Sequence, residues 1–168
     1  MEIQLRDENK LFWPTGHCPV IIGAGGLVNE KAKLEGDGAT PIGQYSLRRV
    51  LFRADRVAAP QTTLSCRALC IDDGWCDDAT DPAYNRPVRL PYPASAEQLF
   101  RDDRVYDLIV VLGHNDQPPI SGHGSAIFLH LARETGAPTR GCLAVSEADL
   151  RTLLRQCTPA SQVIIAGG

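Results

Sequence analysis

The sequence has little net charge, no cluster of basic residues and no long apolar segment. Its 168 residues carry 17 Lys and Arg against 20 Asp and Glu, a formal net charge of −3. No run of Lys or Arg is interleaved with aromatic residues, which argues against a nucleic-acid partner. The longest apolar runs, PVIIGAGGLV and DLIVVLG, fall far short of the roughly 20 residues that span a bilayer. We therefore expect no membrane span, and the charged start MEIQLRDENK gives no sign of a signal peptide.

The six cysteines do not form a metal-binding pattern. The spacing from Cys66 to Cys70 to Cys76 is C-x3-C-x5-C, whereas structural zinc sites favour CxxC pairs. A chain of this length can bury a core without disulfides, so we expect most cysteines to be small buried apolar residues and leave their disulfide state open. GAGG at 23–26 lacks the third glycine and the downstream acid of a dinucleotide-binding loop. Neither pattern indicates a metal or an organic cofactor.

Short apolar segments separated by Gly, Pro and Asp run through the whole chain. Predicted strands outnumber predicted helices, and the two do not alternate as they would in βαβ units. This pattern predicts a mainly β fold in one domain spanning residues 1–168, with two or three short helices. We expect strands in HCPVIIG, GGLV, YSLRRVLF, VYDLIVVLG, GSAIFLHL and SQVIIAG.

Local signals predict two helices and one long loop. Ser146 marks a helix start in SEADLRTLLRQC, whose leucines give the helix one apolar face. Ser95 with Gln98 three residues later resembles a capping box and predicts a second short helix. Residues 71–93 are rich in Asp and Pro and predict a long loop, either a functional lid or a solvated insertion.

A histidine in an apolar strand and a cysteine after a tight turn form a candidate catalytic pair. In GSAIFLHL, strand alternation places His130 on the same face as Phe128. Gly141 in TRGC can adopt backbone angles closed to other residues, and its amide would join that of Cys142 in holding an oxyanion. An imidazole beside a thiol draws off its proton, and the resulting imidazolium stabilises the thiolate nucleophile. A buried structural role for both residues is the alternative.

Two motifs in the chain resemble those of a known enzyme family. TPIGQY at 40–45, preceded by GDG, resembles the TPxGxF/Y motif of the YkuD-type L,D-transpeptidase catalytic domain. His130 followed by TRGC at 139–142 resembles that domain's His…[S/T]xGC signature. GSAIFLHLAR, PTRGCLAVS, DDGWCDD and YNRPVRLPY resemble a compact, mostly alphaproteobacterial branch of the family. The resemblance covers about residues 15–166, nearly the whole chain.

The resemblance implies a β-sandwich-like fold and a cysteine acyl-transferase that acts on peptidoglycan stem peptides without a metal or other cofactor. Cys142 would attack the carbonyl between an L-centre and a D-centre and form a thioester. His130 would act as base and then as acid, oriented by the backbone carbonyl of Leu131. An amine of a second stem peptide would resolve the thioester into a 3-3 or 1-3 cross-link. The resemblance also implies acylation of Cys142 by carbapenems.

Further residues are candidates for substrate binding. The family commonly has Arg or Asn two residues after the cysteine, where this chain has Ala144, so we expect Arg140 or Arg133 to supply positive charge for a substrate carboxylate. Trp75 and Tyr84 would either form a peptide-binding wall or hold the long loop to the core. Two loop residues, His123 and Asn115, are further candidates, with a local structural role as the alternative. The full candidate set is Thr139, Arg140, Arg133, Trp75, Tyr84, His123 and Asn115.

Three rival functions remain open. An L,D-carboxypeptidase would pass the thioester to water, a non-catalytic peptidoglycan-binding module would keep the fold without the chemistry, and a zinc site would join His123, His130 and Cys142. The expected location follows the function. Cross-linking implies the periplasm or cell envelope, whereas the lack of a visible signal peptide favours a cytoplasmic carboxypeptidase. The oligomeric state is unknown from the sequence.

Overall fold

Strands dominate the computed structural model, which describes residues 1–6 and 9–167 of the chain. One α-helix and two short 3-10 turns accompany thirteen strands in these residues, and no helix among them is long and apolar enough to cross a membrane. The first part of the chain contains β1 (Glu2–Arg6), β2 (Lys10–Trp13), β3 (Gly16–Pro19), β4 (Leu27–Asn29), a 3-10 turn (Glu30–Ala32), β5 (Thr40–Phe52) and β6 (Cys66–Ala68). The second part contains β7 (Asp73–Cys76), β8 (Pro87–Arg89), β9 (Ala96–Gln98), a 3-10 turn (Arg104–Tyr106), β10 (Leu108–Leu112), β11 (Phe128–Leu131), β12 (Leu143–Val145), α1 (Glu147–Leu154) and β13 (Gln162–Ile165).

The long strand β5 connects two halves of one ten-stranded sheet, whose main order is β12-β11-β10-β5-β13-β1-β2-β3. Its first residues pair with β4 and β13, and its last residues pair with β6 and β10. Both halves of the sheet contribute to one apolar core, to which β1 gives Ile3, β13 gives Val163 and β11 gives Leu129. This architecture confirms the predicted mainly β fold class, with one α-helix and two 3-10 turns as its helical part.

Strands β10 and β11 are covered on both faces. The side chains of LIVVL in β10 alternate between the core, which α1 also covers, and a second apolar cluster on the opposite face. A strand buried on both faces shows a continuous apolar run rather than an alternating pattern. Along β11, Leu129 and Leu131 enter the core while Phe128 enters the second cluster, so alternation puts His130 on the Phe128 side.

A separate sheet of three strands, the accessory sheet, has the order β8-β7-β9 and occupies the segment predicted as a long loop and a short helix. Both predictions are wrong: residues 71–93 contain β7 and β8, and Ser95 precedes strand β9 instead of capping a helix. The strands are three or four residues long. Their polar groups are satisfied locally, since the Asp73 carboxylate accepts hydrogen bonds from Arg67 and Arg89. Such short polar strands lack the β-branched, alternating pattern by which strands are predicted.

Several predicted strands are shorter than expected, two of them at their first residues next to the site, and the predicted C-terminal helix is confirmed. The strand in VYDLIVVLG loses its first residues to a 3-10 turn. The strand in GSAIFLHL begins only at Phe128, because Gly124 and Ala126 have φ angles of 89° and 52° that extended strands do not adopt. In the helix, Ser146 is the N-cap, and its hydroxyl oxygen accepts a hydrogen bond from the Asp149 amide at 3.1 Å.

Candidate active site

A cavity of about 750 Å³ opens where β11 and β12 meet the accessory sheet. Strand β9, the 3-10 turn before β10 and the segment that precedes β12 each form part of its wall. His130 and Cys142 both line it. Its charged lining residues are Lys33, Glu35, Asp77, Glu97, Arg101, Arg133 and Arg140.

The parallel pairing of β11 with β12 brings His130 and Cys142 together across the loop between these two strands. His130 pairs with Ala144, and neighbouring strands lie roughly 4.7–4.9 Å apart. Cys142 comes two residues before Ala144, so its side chain leaves the same face of the sheet. The amide of Phe128 donates a hydrogen bond to Cys142 Sγ at 3.4 Å, which fixes the sulfur beside the start of β11. The register of two short strands therefore assembles the predicted pair in one cavity.

The imidazole of His130 is held in one tautomer. Its Nδ1 lies 2.9 Å from the carbonyl oxygen of Leu131, the contact that the family resemblance implied. Because a carbonyl can only accept, Nδ1 carries the hydrogen and Nε2 is left as an acceptor. The ring of Tyr106 packs edge-on against the imidazole at 5.3 Å between ring centroids. Burial lowers the pKa of His130 to about 4, with Arg133 acting in the same direction and the Leu131 hydrogen bond opposing, so the free protein holds a neutral imidazole.

The thiol of Cys142 is neutral in the free protein. Burial raises its pKa to about 12, the negative charge of Glu97 acts in the same direction, and the hydrogen bond from Phe128 opposes. Sγ donates a hydrogen bond to the carbonyl oxygen of Ala126 at 3.1 Å. Ala126 has a φ of 52°, a strained angle for a residue with a Cβ, and in this backbone conformation its carbonyl oxygen faces the sulfur. The sequence predicted a thiolate–imidazolium pair, whereas desolvation keeps the proton on sulfur in the free protein.

We expect the rate at which iodoacetamide alkylates Cys142 to rise about tenfold per pH unit between roughly pH 6 and pH 9. Only the thiolate reacts, and its fraction grows with each pH unit while the pH stays below the thiol pKa of about 12. A preformed ion pair would give a rate that hardly changes over this range. Peptide mass mapping separates Cys142 from the exposed Cys66 and Cys70, and a flat profile at Cys142 would contradict the neutral pair.

The turn TRGC is held by Thr139 and requires glycine at 141. The Thr139 hydroxyl donates to the carbonyl oxygen of Cys142 at 2.6 Å and accepts from the amide of Gly141 at 3.1 Å. Gly141 has a φ of 126°, and a Cβ at this position would lie 2.8 Å from the carbonyl oxygen of Ala39. The Gly141 amide is thus engaged in the free protein. The predicted oxyanion hole needs this amide to turn from Thr139 to the substrate, next to the amide of Cys142.

A family model that describes the L,D-transpeptidase catalytic domain, YkuD, matches residues 3–165. The chain belongs to the YkuD family. The match begins at residue 3 rather than at the expected residue 15, and it therefore includes most of β1, which pairs with β13, and β2. Compared with curated proteins and with solved structures, the chain matches none.

Of the residues predicted to bind substrate in this YkuD domain, three line the cavity and four do not. Thr139, Arg140 and Arg133 lie in the wall, with Arg140 and Arg133 exposed. The other four lie outside the cavity lining and hold loops in place, and these are Trp75, Tyr84, Asn115 and His123.

The contacts of two of these residues favour the alternative that they hold the 71–93 segment to the core. Trp75 is buried, donates from Nε1 to Asn85 Oδ1 at 2.9 Å and packs edge-on against Phe128. Tyr84 is also buried, and its hydroxyl donates to Glu35 Oε2 at 2.6 Å. Neither side chain faces the cavity, so the predicted peptide-binding wall is replaced by an inner support beneath it.

The two loop residues organise the 115–124 segment. The amide of the Asn115 side chain donates to the backbone carbonyls of Ile120 and Gly124, both at 2.9 Å. The backbone carbonyl of His123 lies 3.1 Å from Nε2 of the buried His114. His123 is therefore separate from His130 and Cys142, and the described residues contain no group of three His, Cys, Asp or Glu side chains placed to hold a metal ion. This separation argues against the zinc alternative.

Glu97 and Tyr106 are among the residues of the YkuD cavity that sequence reasoning missed. The Tyr106 hydroxyl donates to Glu97 Oε1 at 2.7 Å, and the Tyr106 ring contacts His130. Glu97 was hidden in a segment interpreted as a helix, and Tyr106 in one interpreted as an apolar strand. No local signal identifies either residue, because each is brought to the cavity by the position of the accessory sheet or of a 3-10 turn.

Proposed function

We propose that the protein is a peptidoglycan L,D-transpeptidase in which Cys142 is the nucleophile and His130 the general base. One observation carries the proposal. The Cys142 thiol and the His130 imidazole line the same cavity, with His130 Nδ1 bound to the Leu131 carbonyl and Nε2 free to accept a proton. The volume, about 750 Å³, lies within the range of pockets that bind peptide-sized or drug-sized ligands.

The reaction begins from a neutral pair. As Sγ attacks the carbonyl carbon of the donor stem peptide, its proton leaves the Ala126 carbonyl for Nε2 of His130. The carbonyl oxygen of the donor peptide gains negative charge. The amides of Gly141 and Cys142 stabilise this charge once the Gly141 amide has broken its hydrogen bond to the Thr139 hydroxyl. His130 then gives the proton to the departing amine, and the acyl group remains on sulfur as a thioester.

A second stem peptide completes the cycle. Its amine attacks the thioester carbon, the new C–N bond forms as the C–S bond breaks, and a proton returns to Sγ through His130. Because the substrate is the polymer of the cell wall, we propose the cell envelope as the place of action. The same site holds the strained lactam of a carbapenem as an acyl donor to Cys142.

Incubation of the purified protein with disaccharide-tetrapeptide muropeptides tests the proposal. Mass spectrometry is expected to show cross-linked dimers and an acyl adduct on Cys142, and fragmentation of the dimers distinguishes 3-3 from 1-3 linkage. If the products are only shortened monomers, water is the acceptor and the protein is an L,D-carboxypeptidase. An unmodified thiol and unchanged muropeptides would indicate a binding module.

Replacing Arg140 with Ala is expected to raise KM for the donor peptide about five- to tenfold with kcat nearly unchanged. Arg140 is exposed at the cavity wall, where its guanidinium meets a substrate carboxylate in both the ground state and the transition state. Steady-state kinetics of muropeptide consumption measures the change. The matched control is Arg155→Ala, an exposed residue outside the cavity that contacts Thr152. Unchanged kinetics in Arg140→Ala would remove this residue from substrate binding.

A further inference from the structure

The charges that line the cavity are unevenly neutralised. Lys33 forms an ion pair with Asp37 at 2.6 Å, and Arg101 forms one with Asp103 at 2.7 Å. Arg133 also lies near Asp103, at 3.7 Å. Within the described part of the chain, the other four charged residues that line the cavity have no ion-pair partner, and these are Glu35, Asp77, Glu97 and Arg140. Two of the carboxylates each accept a hydrogen bond from a tyrosine hydroxyl, Glu35 from Tyr84 and Glu97 from Tyr106.

Glu97 brings a carboxylate from the accessory sheet to the catalytic residues. It pairs with Trp75 across β9 and β7, and its Oε1 accepts the Tyr106 hydroxyl at 2.7 Å. Since the ring of Tyr106 contacts His130, the carboxylate lies one residue away from the general base. Burial raises the pKa of Glu97, and the nearby Asp77 carboxylate adds to the effect, while the Tyr106 hydrogen bond and two arginines oppose it. A cation bound at this carboxylate would offset the cost of its burial.

Asp77 makes the same wall more negative. It follows β7, and its amide donates to the carbonyl of Ser95, which continues the pairing of β7 with β9. Asp77 therefore lies on the same face as Trp75 and Glu97. Its Oδ1 is enclosed and has no hydrogen-bond donor among the described residues. A buried carboxylate oxygen without a donor is costly, so this wall favours a positively charged ligand.

Arg140 supplies the opposite charge from the other side of the cavity. It precedes Gly141 and Cys142 in the TRGC turn, so its position is tied to that of the nucleophile. Arg140 and Glu97 line the same cavity, where the positive charge of Arg140 lowers the pKa of Glu97, yet the two side chains do not form an ion pair. Because this carboxylate and this guanidinium face one cavity without forming an ion pair, a ligand that carries an ammonium group and a carboxylate can bind between them.

We propose that Glu97 and Arg140 form a two-point site for an amino-acid zwitterion, in which Glu97 binds the ammonium group and Arg140 the carboxylate on the same carbon. This inference deepens the proposed function and rests on it for the identity of the peptide. The substrate class is a stem peptide with a diamino dicarboxylic acid side chain that ends in a free amino acid. A lysine side chain would satisfy only Glu97. An amidated diamino acid would leave the guanidinium without its anion, and a polar site rejects an analogue that leaves its groups unpaired.

Binding measured by calorimetry in the Cys142→Ala background tests the site without any reaction. Three peptides are compared: one with the free zwitterion, one with that carboxylate amidated and one with that amine acetylated. The Cys142→Ala protein is expected to bind the first about tenfold more tightly than either of the others. Adding Arg140→Gln should abolish the preference over the amide and keep the preference over the acetylated peptide. Adding Glu97→Gln should do the reverse.

The controls separate recognition from general damage. Glu134→Gln and Arg155→Gln, both exposed and outside this cavity, should keep both preferences. Equal affinity for the three peptides, or a Glu97→Gln variant that weakens all three equally, would overturn the two-point site. Thioester formation by the protein with Cys142 intact is measured separately. Its absence would refute the proposed transpeptidase while the affinities still decide whether the zwitterion site exists.

Discussion

Replacing Cys142 with Ala is expected to reduce thioester formation and cross-linking by at least about a thousandfold. The sulfur lines the same cavity as His130, whose Nε2 is left as an acceptor, and it is the atom that we propose as the nucleophile. Alanine removes the attacking atom and the hydrogen bonds of Sγ to Ala126 and Phe128. The fold should persist, because the change deletes one atom at the edge of the second apolar cluster. Intact-protein mass spectrometry after incubation with muropeptide measures the loss.

A carbapenem gives the same test with a simpler readout. The wild-type protein is expected to gain one covalent adduct, and the Cys142→Ala variant none. The exposed thiol of Cys70 is the matched control, since Cys70→Ala removes a reactive surface sulfur without touching the cavity. An adduct that survives in Cys142→Ala, or one that disappears in Cys70→Ala, would show that the nucleophile has been misassigned.

The placement of His130 and Cys142 in one cavity could be predicted from the sequence because its geometry is local. Alternation along β11 sets the face of His130, and one register of β11 against β12 sets the position of Cys142. The glycine at 141 indicates a backbone angle closed to other residues, and the φ of 126° agrees. Each of these relations lies within a single segment from residue 124 to residue 145.

The wall that faces the pair could not be predicted, because it depends on contacts between distant segments. Glu97 reaches the cavity through the accessory sheet, whose strands are three or four residues long and carry buried Asp73 and Gly74. Trp75 is an aromatic residue of the kind that often binds a substrate, but its ring packs edge-on against Phe128 in the protein interior. Burial also reverses an electrostatic expectation. The imidazole and the thiol lie together, yet desolvation opposes charge on both, a cost that sequence spacing does not reveal.

Replacing Gly141 with Ala is expected to slow thioester formation about a hundredfold or more, because a shift of about 1 Å at the nucleophile has an effect of that size. A Cβ at 141 would lie 2.8 Å from the backbone oxygen of Ala39, and the φ of 126° is one that L-residues rarely adopt. Backbone atoms must therefore move, and Cys142 follows directly in the chain. Because Thr139 is hydrogen-bonded to both Gly141 and Cys142, we expect the whole TRGC turn to move together. Backbone strain of this kind also lowers the free energy of unfolding by about 1–3 kcal/mol.

Gly136→Ala is the matched control, because Gly136 also has a positive φ, 68°, but a Cβ there meets no atom within 4 Å. This variant should lose roughly 1–2 kcal/mol of stability from its backbone angle and keep its rate of thioester formation within about twofold. Urea unfolding and intact-mass kinetics on both variants separate strain alone from strain with a steric clash. If Gly141→Ala acylates as fast as Gly136→Ala, the position of Cys142 does not depend on the close approach of Gly141 to Ala39. The nucleophile would then be held by its contacts to Ala126 and Phe128 alone.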